Sequence, residues 1–310
     1  MVIIDKISVN TSLNSSVLTI GSFDGMHLGH YKVFNQVKKL SANKNIPSVV
    51  ITFNPSPKNI LSKNREDVSE TITTLNKKLE LLDLIGIDYV WLVPFNKDIA
   101  KVTAEVFLND YIMRNFKPND IVVGYDHHFG CNKKGDKKFL DNKKDALNYN
   151  LHIISPFNFN NTTISSSLIR KYIKSYKLNS ANRLLGRDYE IAGIVVKGNG
   201  IGREIDFPTA NIRPIDSKQL IPAKGVYCVE AIMGNKKYLG MCNIGCRPTF
   251  YDNSDNVIEV HLLTEEYLSL LNYKIRILFK GFIRKENKYK SSLELIKQLE
   301  EDRRVCIDNY

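Results

Sequence analysis

Residues 17–30 read Val17-Leu18-Thr19-Ile20-Gly21-Ser22-Phe23-Asp24-Gly25-Met26-His27-Leu28-Gly29-His30. The run Val17–Ile20 has the length and apolar character of a buried strand. A glycine-bearing turn follows it, and Tyr31–Leu40 then has helical character. A strand, a tight turn and a helix start together make an anion site. The first helical N–H groups lack intrahelical partners, and the positive end of the helix dipole adds to them. His27 and His30 are three apart, so both imidazoles fall on one side of the first helical turn. The stretch therefore predicts a nucleotide phosphate held by backbone, with histidine donors aimed at it.

Working outward, further strand-like runs are Val49–Phe53, Tyr89–Val93, Ile121–Gly124 and Leu151–Ile154. Helical patterns lie between them. Ala104, Phe107, Leu108, Tyr111 and Ile112 form an i, i+3, i+4, i+7, i+8 stripe, with Thr103 as N-cap. Leu75, Leu79, Leu82 and Ile85 mark another helix, stopped by Gly86. Short apolar strands separated by helices imply a parallel sheet covered on both faces. Ligands bind beyond the carboxyl ends of such strands. Gly21–His30 and Gly124–Gly130 both occupy that position.

The pattern changes after residue 186. Glu190–Lys197, Val226–Met233, Lys237–Asn243, Val257–Leu262 and Tyr273–Lys280 are β-like, and Gly234-Asn235 is a hairpin signal. An antiparallel barrel or sandwich is expected, closed by a helix over Ser291–Cys306 with capping-box spacing at Ser291 and Glu294. The boundary between the α/β domain and the β domain falls near Ser180–Arg187, giving domains 1–180 and 181–310.

The bulk composition narrows the function classes. A chain of 310 residues with 43% hydrophobic content suits a two-domain globular protein. No apolar run approaches membrane-span length. Met1-Val2-Ile3-Ile4-Asp5-Lys6 lacks a signal-peptide layout, so a cytoplasmic location is expected. Five cysteines without repeated spacing argue against a disulfide framework and for buried thiols. The net charge of +11 favours acidic ligands such as nucleotides. The excess is scattered lysine without interleaved aromatics, so no nucleic-acid partner is expected, and no membrane partner either. The sequence does not give the oligomeric state.

Three further segments carry chemistry. Ile164-Ser165-Ser166-Ser167-Leu168-Ile169-Arg170 offers hydroxyls and N–H groups at a helix start, with an arginine one turn in. Such a segment serves as a cap or as a phosphate clamp. Gly198, Gly200 and Gly202, with Arg203, let backbone approach phosphates closely. In Phe207-Pro208-Thr209-Ala210-Asn211 the oxygens of Thr209 and Asn211 suit a hard cation such as Mg²⁺.

Gly-x-Phe-Asp-Gly-x-His-x-Gly-His followed by Ile-Ser-Ser-Ser-x-x-Arg resembles the nucleotidylyltransferases. The order and spacing of the motifs are similar to the prokaryotic bifunctional riboflavin kinase/FMN adenylyltransferase family, also called FAD synthetases. Gly124-Tyr125-Asp126-His127-His128-Phe129-Gly130 resembles that family's Gly-x-Asp-Phe-x-Phe-Gly loop. The second half resembles its flavokinase domain through Gly198–Asn211, Gly225-Val226-Tyr227, Asn243–Thr249 and Glu259–Leu263. The resemblance implies a Rossmann-like N-terminal domain with a parallel sheet and a C-terminal antiparallel β-barrel ending in a helix. It implies ATP as co-substrate, Mg²⁺, and riboflavin, FMN and FAD as substrates and products.

By this resemblance Glu259 is the base that takes the riboflavin 5′-hydroxyl proton. Thr209 and Asn211 hold the metal, and Gly198–Arg203 cradles phosphate. In the first domain His27 and His30 act at the α-phosphate of ATP. Ser166, Ser167 and Arg170 act at the leaving pyrophosphate, and Gly21, Phe23, Asp24 and Gly29 shape the nucleotide site. Asp126, Phe53 and Pro55 contact or orient flavin. Ser56 stands where the family usually has His, Thr264-Glu265 where Asp-Phe is common, and Asn272 where Gly is common. Two other readings are a chain with one activity only and a non-catalytic flavin or nucleic-acid binder. Asp126-His127-His128 also has the look of a phosphoesterase metal motif, but nothing else supplies its carboxylates.

Overall fold

The computed structural model describes residues 1–5, 12–61, 70–159, 162–198, 207–246, 256–264 and 269–310. The chain divides into two units, Met1–Ser166 and Ser167–Tyr310.

The first unit is built on a six-stranded sheet of Val2–Ile4 (β1), Ser16–Ile20 (β2), Ser48–Asn54 (β3), Tyr89–Pro94 (β4), Pro118–Gly124 (β5) and Asn150–Ile154 (β6). Every pairing is parallel, in the order β1-β4-β3-β2-β5-β6. Alternate residues feed two cores. Leu18, Ile20, Val49, Ile51, Ile121 and Val123 face one side, where Phe107, Leu108, Ile112 and Leu140 pack. Val17, Val50, Val90 and Val122 face the other, against Val33, Phe34, Val37, Leu81 and Leu82. A sheet buried on both faces explains why its strands read as apolar runs.

The helices are punctuated by their caps. Leu28–Lys44 (α1) starts on His27 and stops at Asn45 in the left-handed region. It is longer at both ends than Tyr31–Leu40, because a histidine caps it and an asparagine ends it. Leu75–Ile85 (α2) starts on the Thr74 hydroxyl and ends at Gly86 with φ +82. The Thr103 side chain accepts the Val106 N–H at 3.2 Å, as the stripe over residues 104–112 predicts. That helix is α-helical over Ala104–Val106 and Arg114–Phe116 but π-helical over Phe107–Met113. Lys137–Leu147 (α3) completes the layer. His152, for which the sequence offers no chemistry, lies 2.8 Å from the Asp120 carboxylate, which Lys44 also meets at 2.5 Å. Burial alone would raise that carboxyl, but the two hydrogen bonds hold it below its ordinary value.

In the second unit Ser166–Lys174 (α4), which begins one residue before the division, and Leu178–Leu185 (α5) lead into a closed barrel. Its strands are Tyr189–Val196 (β7), Ala210–Pro214 (β8), Gly225–Met233 (β9), Lys236–Cys246 (β10), Asn256–Leu262 (β11) and Lys274–Arg284 (β12). All pairings are antiparallel, in the order β7-β8-β11-β10-β9-β12. The architecture is therefore a barrel, of the two forms that the strand pattern leaves open. Gly234-Asn235 makes the two-residue hairpin between Met233 and Lys236. Asn272 adopts φ +64, a conformation that asparagine tolerates where most side chains do not.

The final helix, Ser292–Asn309 (α6), starts on the Ser291 hydroxyl. Cys306 packs with Phe207, Cys228 and Met241 against the barrel. Cys228, Cys242 and Cys306 are buried free thiols, as their composition predicts, whereas Cys131 is only half-buried. Burial pushes the Cys242 thiol up, so it stays protonated.

The helix is pinned by Asp302, 1% exposed, which accepts from Arg284 Nε at 2.9 Å, Arg284 Nη2 at 2.8 Å and Gln298 Nε2 at 3.2 Å. Asp302→Ala would leave the Arg284 guanidinium half-buried without its carboxylate. Breaking a buried pair from one side costs about 3–5 kcal/mol. A drop on the order of 10 °C in the melting of the second unit is expected by calorimetry.

Candidate active sites

The strand order places the first site. From β2 the chain steps to β3 and β4 on one side, then crosses back to β5 and β6 on the other. The switch point lies between β2 and β5, and open α/β sheets bind ligands beyond the carboxyl ends of strands at that place. The turn after β2 is Gly21–His30 and the loop after β5 is Gly124–Gly130. Both sequence-predicted loops thus follow the carboxyl ends of the two strands that flank the switch point.

The turn is tightly held. The Gly21 N–H donates to Ile51 O at 3.0 Å. Phe23 and Met26 take φ +46 and +42, in the left-handed region that non-glycine residues rarely occupy. The Phe23 ring is buried edge-on against His30, centroids 5.3 Å apart, and against Phe34. The Asp24 carboxylate accepts the N–H groups of Ile72 and Thr73 at 3.0 and 3.2 Å. The Ser166 hydroxyl donates to the Asp24 carbonyl at 2.7 Å. These contacts make Asp24 a group that shapes the turn.

His27 and His30 stack face to face, with centroids 3.6 Å apart and planes 19° apart. His27 is the N-cap of α1, and its Nδ1 accepts the His30 N–H at 3.3 Å. The same N–H also donates to the His27 carbonyl at 2.8 Å, so the Nδ1 contact is the longer half of a shared bond. A Cβ on Gly29 would stand 3.2 Å from the His27 ring, so glycine makes room for the stacked pair. The first turn of α1 contains no acidic residue to offset the dipole.

Phe53 lies at the carboxyl end of β3, edge-on to Phe95 at 5.6 Å, with Pro55 just beyond. Asp126 is exposed in the loop after β5. Beside it the His127 ring stacks on Phe129, its Nε2 buried and without a hydrogen-bond partner among the described residues. Burial pushes that imidazole down to about 4, so it is neutral near pH 7. Among the described residues there is no cluster of His, Cys, Asp and Glu that could hold a metal ion, so the phosphoesterase reading of Asp126–His128 finds no ligand set. Ser167 and Arg170 lie on α4, exposed and half-buried respectively, at the helical spacing that their sequence predicts.

The second site lies on three adjacent barrel strands. Glu259 on β11 pairs with Asn211 on β8 at one side and with Asn243 on β10 at the other. A carboxylate residue flanked by two amide residues runs across the sheet. Asn211 is 5% exposed, and its Oδ1 has no hydrogen-bond partner among the described residues. A buried amide oxygen left over in this way fits a hard-cation ligand. Thr209 is exposed one residue before β8. A Cβ on Gly198 would fall 2.0 Å from Asn211 Nδ2, so only glycine allows this approach. Gly200, Gly202 and Arg203 lie outside the described residues. Gly198→Ala is expected to displace the Asn211 side chain and destabilise the second unit without altering the first. Calorimetry of the two units checks this.

His261, two residues beyond Glu259, has its Nδ1 2.9 Å from Pro208 O and its ring against Phe207. Burial pulls that imidazole below its ordinary value. It braces the segment that leads into β8. Asn243 carries no assigned role in the sequence reading; its partner across the sheet emerges only from strand register. The other unassigned residue, Lys78, does leave a trace in the sequence. It occupies a buried position of the α2 stripe, where a leucine would be ordinary.

The described residues thus comprise a parallel α/β unit with paired histidines at its switch point and a barrel with an Asn-Glu-Asn row. The FAD synthetase family matches residues 9–168 and the riboflavin kinase family residues 185–309. Curated relatives include the bifunctional riboflavin kinase/FMN adenylyltransferases of Bacillus subtilis and Escherichia coli. The first is 33% identical over 94% of this chain and 92% of its own length. The second is 35% identical over 92% of this chain and 90% of its own. A solved structure from Streptococcus pneumoniae, named a macrolide-efflux protein, matches with a TM-score of 0.91 and 30% identity over all of both chains. No helix among the described residues here is long and apolar enough to cross a membrane. The chain belongs to the bifunctional riboflavin kinase/FMN adenylyltransferase family.

Proposed function

We propose that this chain phosphorylates riboflavin to FMN and then joins FMN to the adenylyl group of a second ATP, giving FAD and pyrophosphate. The observation that carries the reading is one chain with two separate constellations, His27/His30 at a switch point and Asn211/Glu259/Asn243 across a barrel. Residues 1–180 serve the adenylyl transfer and residues 181–310 the kinase, a division that the two family matches support. The partners are small molecules, riboflavin, FMN and ATP, and the setting is the cytoplasm.

In the kinase step Glu259 accepts the proton of the riboflavin 5′-hydroxyl. As it does so, the hydroxyl oxygen bonds the γ-phosphorus of ATP and the bond to ADP breaks. Thr209 and Asn211 would hold a magnesium ion, which when bound neutralises charge on the ATP phosphates. Gly198, with Gly200, Gly202 and Arg203 beyond it in the sequence, binds those phosphates. Such catalysis is chiefly positioning and charge neutralisation.

In the transfer step an FMN phosphate oxygen attacks the α-phosphorus of ATP. The nucleophile is already ionised, so no protein base is required. His27 and His30 stabilise charge that builds on the α-phosphate. Ser166, Ser167 and Arg170 stabilise the departing pyrophosphate. Gly21, Phe23, Asp24 and Gly29 shape the nucleotide site, while Asp126, Phe53 and Pro55 orient the flavin.

Purified chain incubated with riboflavin, ATP and Mg²⁺, with flavins separated by chromatography, tests the reading. FMN and then FAD are expected. A chain with one inactive half would accumulate FMN or act only on supplied FMN, and a binding protein would yield neither product.

A further inference from the structure

Helix α2 buries a lysine beneath the first site. Leu75, Lys78 and Leu82 stand at i, i+3 and i+7, and Lys78 is 7% exposed. Its Nζ donates to the Ser22 carbonyl at 2.6 Å and meets Thr52 Oγ1 on β3 at 3.4 Å. Thr52 Oγ1 itself donates to the same Ser22 carbonyl at 3.3 Å. Two residues further along the turn, the Asp24 carboxylate takes the N–H groups of Ile72 and Thr73, just ahead of the Thr74 cap of α2. The turn is thus fastened to the start of α2 in both polarities: a carbonyl held by an ammonium, a carboxylate held by amides.

Burying an ammonium is unfavourable, and methionine or leucine would fill this stripe position without that penalty. The turn has a need that a hydrophobic residue could not meet. Phe23 and Met26 flank its middle at positive φ, and such a backbone persists only where its surroundings over-determine it. Fixing Ser22 fixes the segment between β2 and the stacked histidines.

We propose that Lys78 is a positioning residue of the adenylyl-transfer site, its ammonium locking the Ser22 carbonyl so that the Gly21–His30 turn presents His27 and His30 in transfer geometry. The inference rests on the adenylyl-transfer reading of that site. A misplacement near 1 Å can cost on the order of 100-fold in rate. The lost geometry would fall on kcat rather than on the KM for FMN.

A pH profile separates positioning from mere support. Desolvation lowers Lys78 from the usual lysine value to about 8, offset in part by Asp24, the charged group that acts on it. Between about pH 8 and the ordinary lysine value near 10.4 the unfolded chain therefore binds more protons than the folded one. Stability from this group rises with pH across that window. A lysine that only supported the fold would leave transfer unchanged or improved there. A lysine that must be charged to hold Ser22 makes transfer fall.

The experiment uses the full chain, with FMN, ATP and Mg²⁺ for transfer and riboflavin, ATP and Mg²⁺ for phosphorylation. In the wild type, kcat for transfer is expected to fall above about pH 8 while the thermal melt of the first unit does not. Lys78→Met is expected to lower kcat for transfer by roughly 10–100-fold, to leave phosphorylation unchanged, and to lose the alkaline limb. A folded Lys78→Met with wild-type transfer overturns the inference. So does a variant that keeps the limb, or a wild-type profile flat through pH 9.5. The wild-type profile decides even if the variant does not fold. A wild-type chain that makes no FAD from FMN at any pH overturns the adenylyl-transfer reading itself, and the inference with it.

Discussion

His30→Ala is expected to stop the chain at FMN. Riboflavin, ATP and Mg²⁺ should yield FMN at the wild-type rate and almost no FAD. His30 contributes its backbone N–H to the cap of α1, and alanine keeps that group. The ring itself is half of the stacked pair, 3.6 Å from His27. Its removal therefore deletes a donor and leaves the helix start intact. Losing one donor of this kind typically costs about 100- to 1,000-fold in kcat. His27→Ala is a poorer probe, because its Nδ1 is the cap and its loss would also loosen the helix by about 1 kcal/mol. Chromatography of the flavins over time reads the result directly.

Glu259→Gln should give the mirror image. Riboflavin phosphorylation should fall about 100- to 10,000-fold, the usual worth of a general base. Adenylylation of supplied FMN should be unaffected. Glutamine keeps the size and the strand register between Asn211 and Asn243, so a loss measures the missing base and not a distorted barrel. The KM for riboflavin should change little. If His30→Ala and Glu259→Gln each removed both activities equally, two independent sites would be excluded.

Much of this fold is legible in the sequence because local signals agree with tertiary placement. Thr103, Gly86 and Ser291 act as the caps their positions predict. Val17–Ile20 and Val49–Phe53 lie in strands of the parallel sheet because both faces are covered. What is hidden is whatever depends on register. Val2–Ile4 is too short to announce itself and becomes a strand only by pairing with β4. Asn243 gains meaning only when β10 lies beside β11 in a particular alignment. The choice of barrel over sandwich rests on β7 meeting β12, nearly eighty residues later, which periodicity within either strand does not encode. Lys78 lies between these cases. Its place in an apolar stripe is visible, but its partner, a carbonyl in a different loop, is not.

The switch point between β2 and β5 also constrains how the molecule comes into being. The Ser16 hydroxyl bonds the Phe116 carbonyl across 100 residues, and the parallel pairing of these strands begins there. Closing so long a loop yields no contact energy until the ends meet, which makes such pairing slow. On a ribosome, β2 can find β3 early, but it must wait for β5 to emerge before the crevice exists. The proposed FMN-consuming site is assembled at the longest-range pairing of its own sheet, and both strands of that seam leave the ribosome before the barrel proposed to make FMN.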